Sequence, residues 1–228
     1  YSGSRTGRCY GRLIGRCIAT VQGLVFLVGL KGDENMLHIN DILDPDFDWD
    51  EIEITEEEFD ELSTELLIDY LKKHNPKERQ MLALCWNFDN SKEVIQWIVD
   101  QPDTDKGTIL LLYWYMAPGF YKKFADREEC KEEAFWALDD YDIIQTIEKN
   151  YLSGFYGNQK YAFDPANDEY SDHYDWTSAY EEEEAKVKIP KELFLALEGE
   201  RIENPQWEEG IPTEISDIMD KLCDVCEE

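Results

Sequence analysis

Residues 74–116 read HNPKERQMLALCWNFDNSKEVIQWIVDQPDTDKGTILLLYWYM and hold three of the seven tryptophans in the chain. Near the start, Asn75, Pro76 and Glu78 place an N-cap residue before a proline at the first helical position and an acid at the third. This combination satisfies backbone donors at a helix end and predicts the start of a helix. The predicted helix has an apolar side at helical spacing, formed by Met81, Leu84, Cys85 and Phe88.

Two further elements follow in the same stretch. After a break at residues 87–91, capped by Asn90 or Ser91, a second helix carries several apolar residues and ends at Pro102. The third piece, ILLLYWYM, follows Asp105 and has no polar side, so it must be buried all round. It is too short to span a bilayer. Its β-branched and aromatic residues would also suit a buried strand, but the N-cap signal and the length favour a helix.

The segment CWNFDNSKEVIQWIVDQPDTDKGTILLLYW resembles the bacterial family called domain of unknown function 4274. The family signature is an Asn-aromatic-Asp segment, followed by Asp-x-Gly-Thr before an apolar run. The matching positions in this chain are Asn87, Asp89, Asp105, Gly107 and Thr108. Later segments also resemble extended bacterial members, so the resemblance covers about residues 65–215. The chain departs from the pattern at Asn90, where glycine is expected, and at Ile109, where alanine is usual. The resemblance implies a fold and a bacterial origin, but no activity.

The net charge divides the chain into two parts. The formal net charge is −30, yet residues 1–35 carry five Lys or Arg and only two Asp or Glu. Residues 36–228 therefore hold 17 basic and 50 acidic side chains. This excess favours rapid, salt-sensitive association with a basic protein, and it excludes direct binding of nucleic acid by the main domain. The length suits a single acidic domain over residues 36–228.

The first 35 residues differ in character from the rest. They are basic and glycine-rich and then become apolar, which resembles a secretory signal, but no small-residue cleavage site follows. We expect residues 1–35 to be leader or fragment sequence that is not part of the fold. The alternative is membrane targeting through residues 13–30. For the main domain we expect no membrane contact and a cytoplasmic location in a bacterium, since cysteine usage suggests a reducing compartment.

The remaining segments predict a mainly α-helical protein, a compact bundle or stack of short helices. Thr55 and Glu58 have the spacing of a capping box at the start of an amphipathic helix. A longer helix is predicted to start near residues 139–140 and to stop at Gly154. Another starts at Pro190, and Thr213 caps the last.

Residues 155–180 interrupt any helical period with proline, asparagine and aspartate. We expect an ordered, partly irregular aromatic and acidic loop there, with one or two short strands allowed, one of them at residues 159–163. Its Asp164–Asp175 cluster surrounds His173 with oxygen ligands of the kind calcium prefers, but the ligand order of an EF-hand is missing. A solvated acidic loop without metal or cofactor is the expected structure.

Two classes of function are compatible with the sequence. The first is an interaction module, an immunity- or antitoxin-like binder of a basic partner. Its candidate anchors are Tyr170, Tyr174, Trp176 and Tyr180, because tyrosine and tryptophan contribute strongly to interfaces. These rings could instead only pin the loop to the core. The second class is a carboxylate- or metal-dependent hydrolase that uses Asp89, Asp105 or the Asp164–Asp175 cluster. We favour the first class and expect the protein not to be an enzyme, since a capping or turn role at a helix start explains Asp89 and Asp105.

Overall fold

A computed structural model describes residues 37–50 and 52–226 of the chain. This part is mainly α-helical, which confirms the predicted fold class. The α-helices are, in chain order, α1 (Ile39–Ile42), α2 (Glu56–Lys73), α3 (Pro76–Cys85), α4 (Lys92–Val99), α5 (Lys106–Tyr115), α6 (Pro118–Tyr121), α7 (Arg127–Glu133), α8 (Leu138–Ser153) and α9 (Thr213–Val225). Five short 3₁₀ helices lie between them, at Phe135–Ala137, Glu169–Ser171, Trp176–Ala179, Lys191–Phe194 and Glu208–Gly210.

The described helices include none that is both long and apolar enough to cross a membrane. The predictions for residues 1–35 lie outside the described residues. The structure divides into two compact units, and the boundary falls inside α2. One unit contains the described residues up to Leu67 together with those from Thr213 onward, and the other is Ile68–Pro212. The assignment of residues 36–228 to a single domain stays a prediction.

The first unit begins its long helix as the sequence predicts. The backbone N–H of Thr55 donates to Glu58 Oε2 at 2.8 Å, and the backbone N–H of Glu58 donates to Thr55 Oγ1 at 3.2 Å. These two bonds form the predicted capping box. Phe59, Leu62 and Leu66 are buried on the apolar side of α2. In α9 the buried residues are Ile215, Met219 and Leu222, and Thr213 is the first helical residue.

The second unit is built around α5. Residues Ile109 to Trp114 of this helix are all buried, so the prediction of a fully enclosed helix is confirmed. Helix α5 contacts α3, α6 and α8, and α8 in turn contacts α4 and α7. An element without a polar face needs apolar neighbours on every side. The short surrounding helices supply them.

Helix α3 starts as predicted but buries a different side. The Asn75 side chain accepts a hydrogen bond from the Lys77 backbone N–H at 2.9 Å, next to proline at the start of the helix. The deeply buried residues are Arg79, Gln80, Leu82 and Ala83. The predicted apolar residues Met81, Leu84, Cys85 and Phe88 are only half-buried. Arg79 tolerates burial because its guanidinium binds the Asp103 carboxylate and the Thr104 hydroxyl.

The segment after α8 follows an irregular path, as expected, and two predictions of regular structure there are wrong. Residues 159–163 form isolated bridges at Tyr161 and Phe163 instead of a strand. The predicted helix from Pro190 is only the 3₁₀ helix Lys191–Phe194. The reason is visible in the backbone, because Leu197 and Phe163 exchange both N–H···O=C bonds, at 2.9 and 3.0 Å. A backbone committed to this pair cannot continue a helix.

Candidate functional site

The acidic loop is organised by Asp168, which is buried. Its Oδ2 accepts hydrogen bonds from the Tyr115 hydroxyl at 2.8 Å and from the Trp176 indole N–H at 2.9 Å. Its Oδ1 accepts the backbone N–H of Tyr170 at 2.9 Å. Three donors therefore surround one carboxylate, and they tie the loop to the end of α5.

Aromatic rings pack around this carboxylate. The Tyr115 and Trp176 rings lie 4.8 Å apart, and the Tyr174 ring meets Trp176 edge to face, also at 4.8 Å. Burial raises the pKa of Tyr115, and the Asp168 carboxylate adds to that rise. The Tyr115 hydroxyl therefore stays protonated and serves as a donor.

The four candidate anchor rings have different surroundings. Tyr170 accepts the Ile202 N–H at 3.1 Å through its hydroxyl oxygen, and the Tyr180 hydroxyl oxygen accepts the Ile189 N–H at 3.3 Å. Trp176 is bound to Asp168 as described above. Tyr174, in contrast, is 50 % exposed. The contacts of the other three rings hold the loop in place, and Tyr174 is the ring that the loop presents to solvent.

Three further carboxylates of the Asp164–Asp175 cluster bind separate groups and do not converge on one point. Asp164 and Asp175 each accept the backbone N–H two residues further on, both at 3.0 Å. Glu169 forms an ion pair with Arg201 at 2.7 Å. Within residues 37–50 and 52–226, no three His, Cys, Asp or Glu side chains are grouped so that they could hold a metal ion.

We expect no specific calcium binding at this loop. Asp164, Asp168, Glu169 and Asp175 are engaged with separate backbone and side-chain donors, so an ion would have to break those contacts to gather ligands. Isothermal calorimetry with calcium should give no saturable heat. Stoichiometric binding tighter than about 10 μM, which is within the range of calcium-sensor loops, would contradict this expectation.

The family-signature residues lie at two places on the chain. Asn87 accepts the backbone N–H of Asp89 at 3.0 Å through its side chain, in the turn between α3 and α4, and Asp89 is exposed there. Asp105 caps α5 and is only 2 % exposed. Thr108 is buried one turn into the same helix. The cap role predicted for Asp105 is the role seen. A cap role for Asp89 is wrong, because the residue before α4 is Ser91 and no side chain caps that helix.

Asp105 joins the start of α5 to a distant segment. Its Oδ1 accepts N–H groups from Gly107 at 2.8 Å and Tyr161 at 3.2 Å, and its Oδ2 accepts the N–H of Lys160 at 2.5 Å. The Lys106 N–H donates to the Asn158 carbonyl at 2.8 Å. A carboxylate at a helix N-terminus also interacts favourably with the helix dipole.

Gly107 should not tolerate alanine. A Cβ at this position would lie 2.3 Å from the Tyr161 carbonyl oxygen. The backbone there is not free to move away, because the N–H of the same residue donates to Asp105 Oδ1. We expect Gly107→Ala to destabilise the protein by about 1–3 kcal/mol through overpacking, more than the alanine gains in helix propensity. Denaturant unfolding measures the change.

The matched control is Gly157→Ala, because a Cβ at Gly157 meets no atom within 4 Å. If both variants unfold at the same denaturant concentration as the parent, the close approach of the Tyr161 carbonyl to Gly107 is not a constraint in solution.

A buried ionic network lies on another side of α5. Lys122 Nζ donates to Glu148 Oε2 at 2.6 Å, and the Tyr113 hydroxyl donates to Glu148 Oε1 at 2.5 Å. The Lys122 side chain is 0 % exposed. Burial, followed by the Glu148 charge, raises the pKa of Tyr113. The carboxylate thus binds one cation and one neutral donor, which satisfies both of its oxygens.

An aromatic surface patch lies near the same helices. It consists of Phe120, Phe135 and Trp136, and we call it the Phe120–Trp136 patch. The Phe120 and Trp136 rings stack at 5.6 Å with an angle of 28°. Phe135 is 69 % exposed and Trp136 is 75 % exposed. Leaving a large apolar side chain in water forgoes on the order of 2 kcal/mol of burial energy, so such a patch marks a candidate interaction site.

The sequence signal for the patch is the run EECKEEAFWALDD, where Phe-Trp interrupts an acidic stretch. This signal does not distinguish a surface patch from the core, because an aromatic pair beside helical periodicity also fits a core position. The buried Lys122–Glu148 pair gave no signal at all.

Comparison with known proteins finds a similarity over part of the chain. Residues 74–152 match the family model described as Domain of unknown function (DUF4274). The predicted resemblance is confirmed. The match is shorter than the predicted residues 65–215, but it includes all five signature residues. No curated protein and no solved structure matches the chain.

The matched segment, residues 74–152, contains α3 to α7 and almost all of α8. Both the buried Lys122–Glu148 pair and the Phe120–Trp136 patch fall within it. The acidic loop with Asp168 lies outside this segment. Asp105 connects the two, since it receives hydrogen bonds from Lys160 and Tyr161 beyond the match.

Proposed function

We propose that the protein is an interaction module that binds a basic protein in the bacterial cytoplasm, in the manner of an immunity protein or an antitoxin. The observation that carries the proposal is the presence of exposed aromatic side chains within a strongly acidic chain. Trp136 and Tyr174 are mostly or half exposed, and residues 36–228 hold 50 acidic against 17 basic side chains.

Charge and aromatic exposure contribute differently to binding. The negative field speeds the encounter with a cationic surface and opposes anionic partners. Aromatic side chains that become buried at the centre of an interface then supply most of the binding energy. An acidic surface without exposed aromatics would give weaker and less specific attraction.

The hydrolase alternative receives less support from the same structure. A general base must reach a proton on the substrate. Asp105 and Asp168 are buried, and each already accepts three hydrogen bonds from groups of the chain itself. The hydrogen bonds that Asp105 and Asp168 accept therefore account for the presence of both aspartates without a catalytic role.

The test is a pull-down from the native bacterium with the immobilised protein at low and at high salt. We expect a cationic protein to be retained at low salt and largely lost at high salt, because the screening length falls from about 8 Å at physiological ionic strength to about 3 Å at 1 M. Recovery of no cationic protein at low salt would contradict the proposal.

A further inference from the structure

The Phe120–Trp136 patch has a rigid base. Phe135 and Trp136 lie in the 3₁₀ turn between α7 and α8, and the neighbouring Ala134, Ala137 and Leu138 are buried. The Ala134 N–H donates to the Cys130 carbonyl at 2.7 Å, which anchors the turn to α7. The residues on either side of the two large rings face inward, and the rings themselves face solvent.

Rigid support matters for binding. Aromatic side chains have only two rotatable side-chain bonds, and a fixed backbone lowers the entropy lost when they are immobilised against a partner. Stacking on Phe120 restricts the Trp136 ring further. The patch is therefore ordered before any partner arrives, as expected of an interface anchor.

The charges around the patch indicate what could cover it. Residues 126–142 contain eight acidic and two basic residues. Of the two, Arg127 is bound to Asp142 through Nε and Nη2. Glu132, Glu133 and Asp139 are exposed and lie within three positions of the two rings. An apolar centre within an acidic rim is complementary to an apolar residue flanked by arginine or lysine.

The same charges oppose a second copy of the chain. Two identical patches brought face to face would place both acidic rims in contact, and like charges across an interface are strongly unfavourable. An arginine, in contrast, can bind a rim carboxylate and also lie over the Trp136 ring in a cation–π contact.

We infer that the Phe120–Trp136 patch is the docking site for an apolar side chain flanked by arginines on the basic partner. This inference rests on the proposed function and adds a place and a mode of contact to it. Trp136 fills the centre of the interface, and the exposed acids on either side of it bind the flanking cations.

The experiment uses two short fluorescently labelled peptides of equal charge. One carries a central leucine between arginines, and the other is oligoarginine. Fluorescence anisotropy at low salt measures their binding to the full chain and to Trp136→Ala, Phe135→Ala and Leu195→Ala. Leu195 is a matched control, since it is also an exposed apolar residue (61 %) but lies far along the chain from the patch.

We expect the full chain to bind the leucine peptide more tightly than oligoarginine. Trp136→Ala should weaken binding of the leucine peptide by about 30-fold, which is the effect of losing an interface anchor, and should leave binding of oligoarginine nearly unchanged. Leu195→Ala should bind both peptides like the parent. If Trp136→Ala lowers the melting temperature, Phe135→Ala replaces it as the test variant. Phe135→Ala should also weaken binding of the leucine peptide.

The possible contrary results are distinct. Equal binding of the leucine peptide to the parent and to both patch variants would overturn the docking site but not the proposed function. No binding of either peptide at low salt would overturn both. Sedimentation that shows a dimer of the parent but not of Trp136→Ala would assign the patch to self-association and overturn the inference.

Discussion

Replacing Glu148 with leucine is expected to lower the free energy of unfolding by about 3–5 kcal/mol, the usual cost of removing one partner of a buried ion pair. The variant would leave the Lys122 ammonium without its carboxylate inside the protein, where its side chain has no exposure to water. It would also remove the acceptor of the Tyr113 hydroxyl. The measurement is the denaturant midpoint of unfolding.

The adjacent lysine provides a matched control. Lys123 binds Glu184 at 2.7 Å, nearly the same distance as in the buried pair, but both of these side chains are more than half exposed. Exposed pairs contribute little to stability. Glu184→Gln should therefore leave the midpoint close to that of the parent, and equal shifts for Glu148→Leu and Glu184→Gln would contradict the burial of Lys122.

A double variant separates an unpaired charge from lost packing. Replacing Lys122 with methionine in the Glu148→Leu background removes the stranded charge and keeps a side chain of similar length. Because apolar replacements of whole buried pairs are often neutral or stabilising, we expect the double variant to recover much of the lost stability. If it unfolds as early as the single variant, the cost of Glu148→Leu comes from packing alone.

The two adjacent lysines also show where prediction from sequence reaches its limit. Lys122 and Lys123 are indistinguishable by composition or local pattern, yet one is buried and the other exposed. The difference depends on which side of the chain faces Glu148, 26 positions later in α8. Long-range pairing of this kind leaves no trace in a local pattern.

Features set by neighbouring residues were predictable. The caps at Asn75 and Asp105 and the capping box at Thr55 each depend on contacts within three residues, and all are present. The full burial of α5 followed from the absence of any polar side. The helix predicted from Pro190 failed because Leu197 pairs with Phe163, a contact across more than thirty residues that local propensity does not include.

The candidate interaction surfaces were predictable only in part. The acidic loop could be recognised from its composition, but the partners of its rings could not. Trp176 donates a hydrogen bond to Asp168, whereas Tyr174, two residues earlier, is exposed. The Phe135–Trp136 pair was hidden because its outward direction results from the 3₁₀ turn that precedes α8. A helical continuation of the same residues would have changed which side chains face inward.

Trp114→Ala tests the centre of the second unit. The Trp114 side chain is 1 % exposed, its ring lies 5.1 Å from that of Phe194, and its indole N–H donates to the Leu193 carbonyl at 2.7 Å. Deleting a buried large aromatic side chain usually costs about 3–5 kcal/mol. The unpaired Leu193 carbonyl should place this variant in the upper part of that range.

Two further variants show which contact carries the effect. Trp114→Phe keeps most of the ring but removes the donor to Leu193, so its denaturant midpoint should fall between those of the parent and Trp114→Ala. Trp136→Ala removes the same side chain from an exposed position and should leave the midpoint almost unchanged. If Trp114→Ala and Trp136→Ala unfold together, residue 114 does not lie in the core. If Trp114→Phe unfolds like the parent, the hydrogen bond to Leu193 contributes nothing, and ring packing alone holds the Lys191–Phe194 turn against α5.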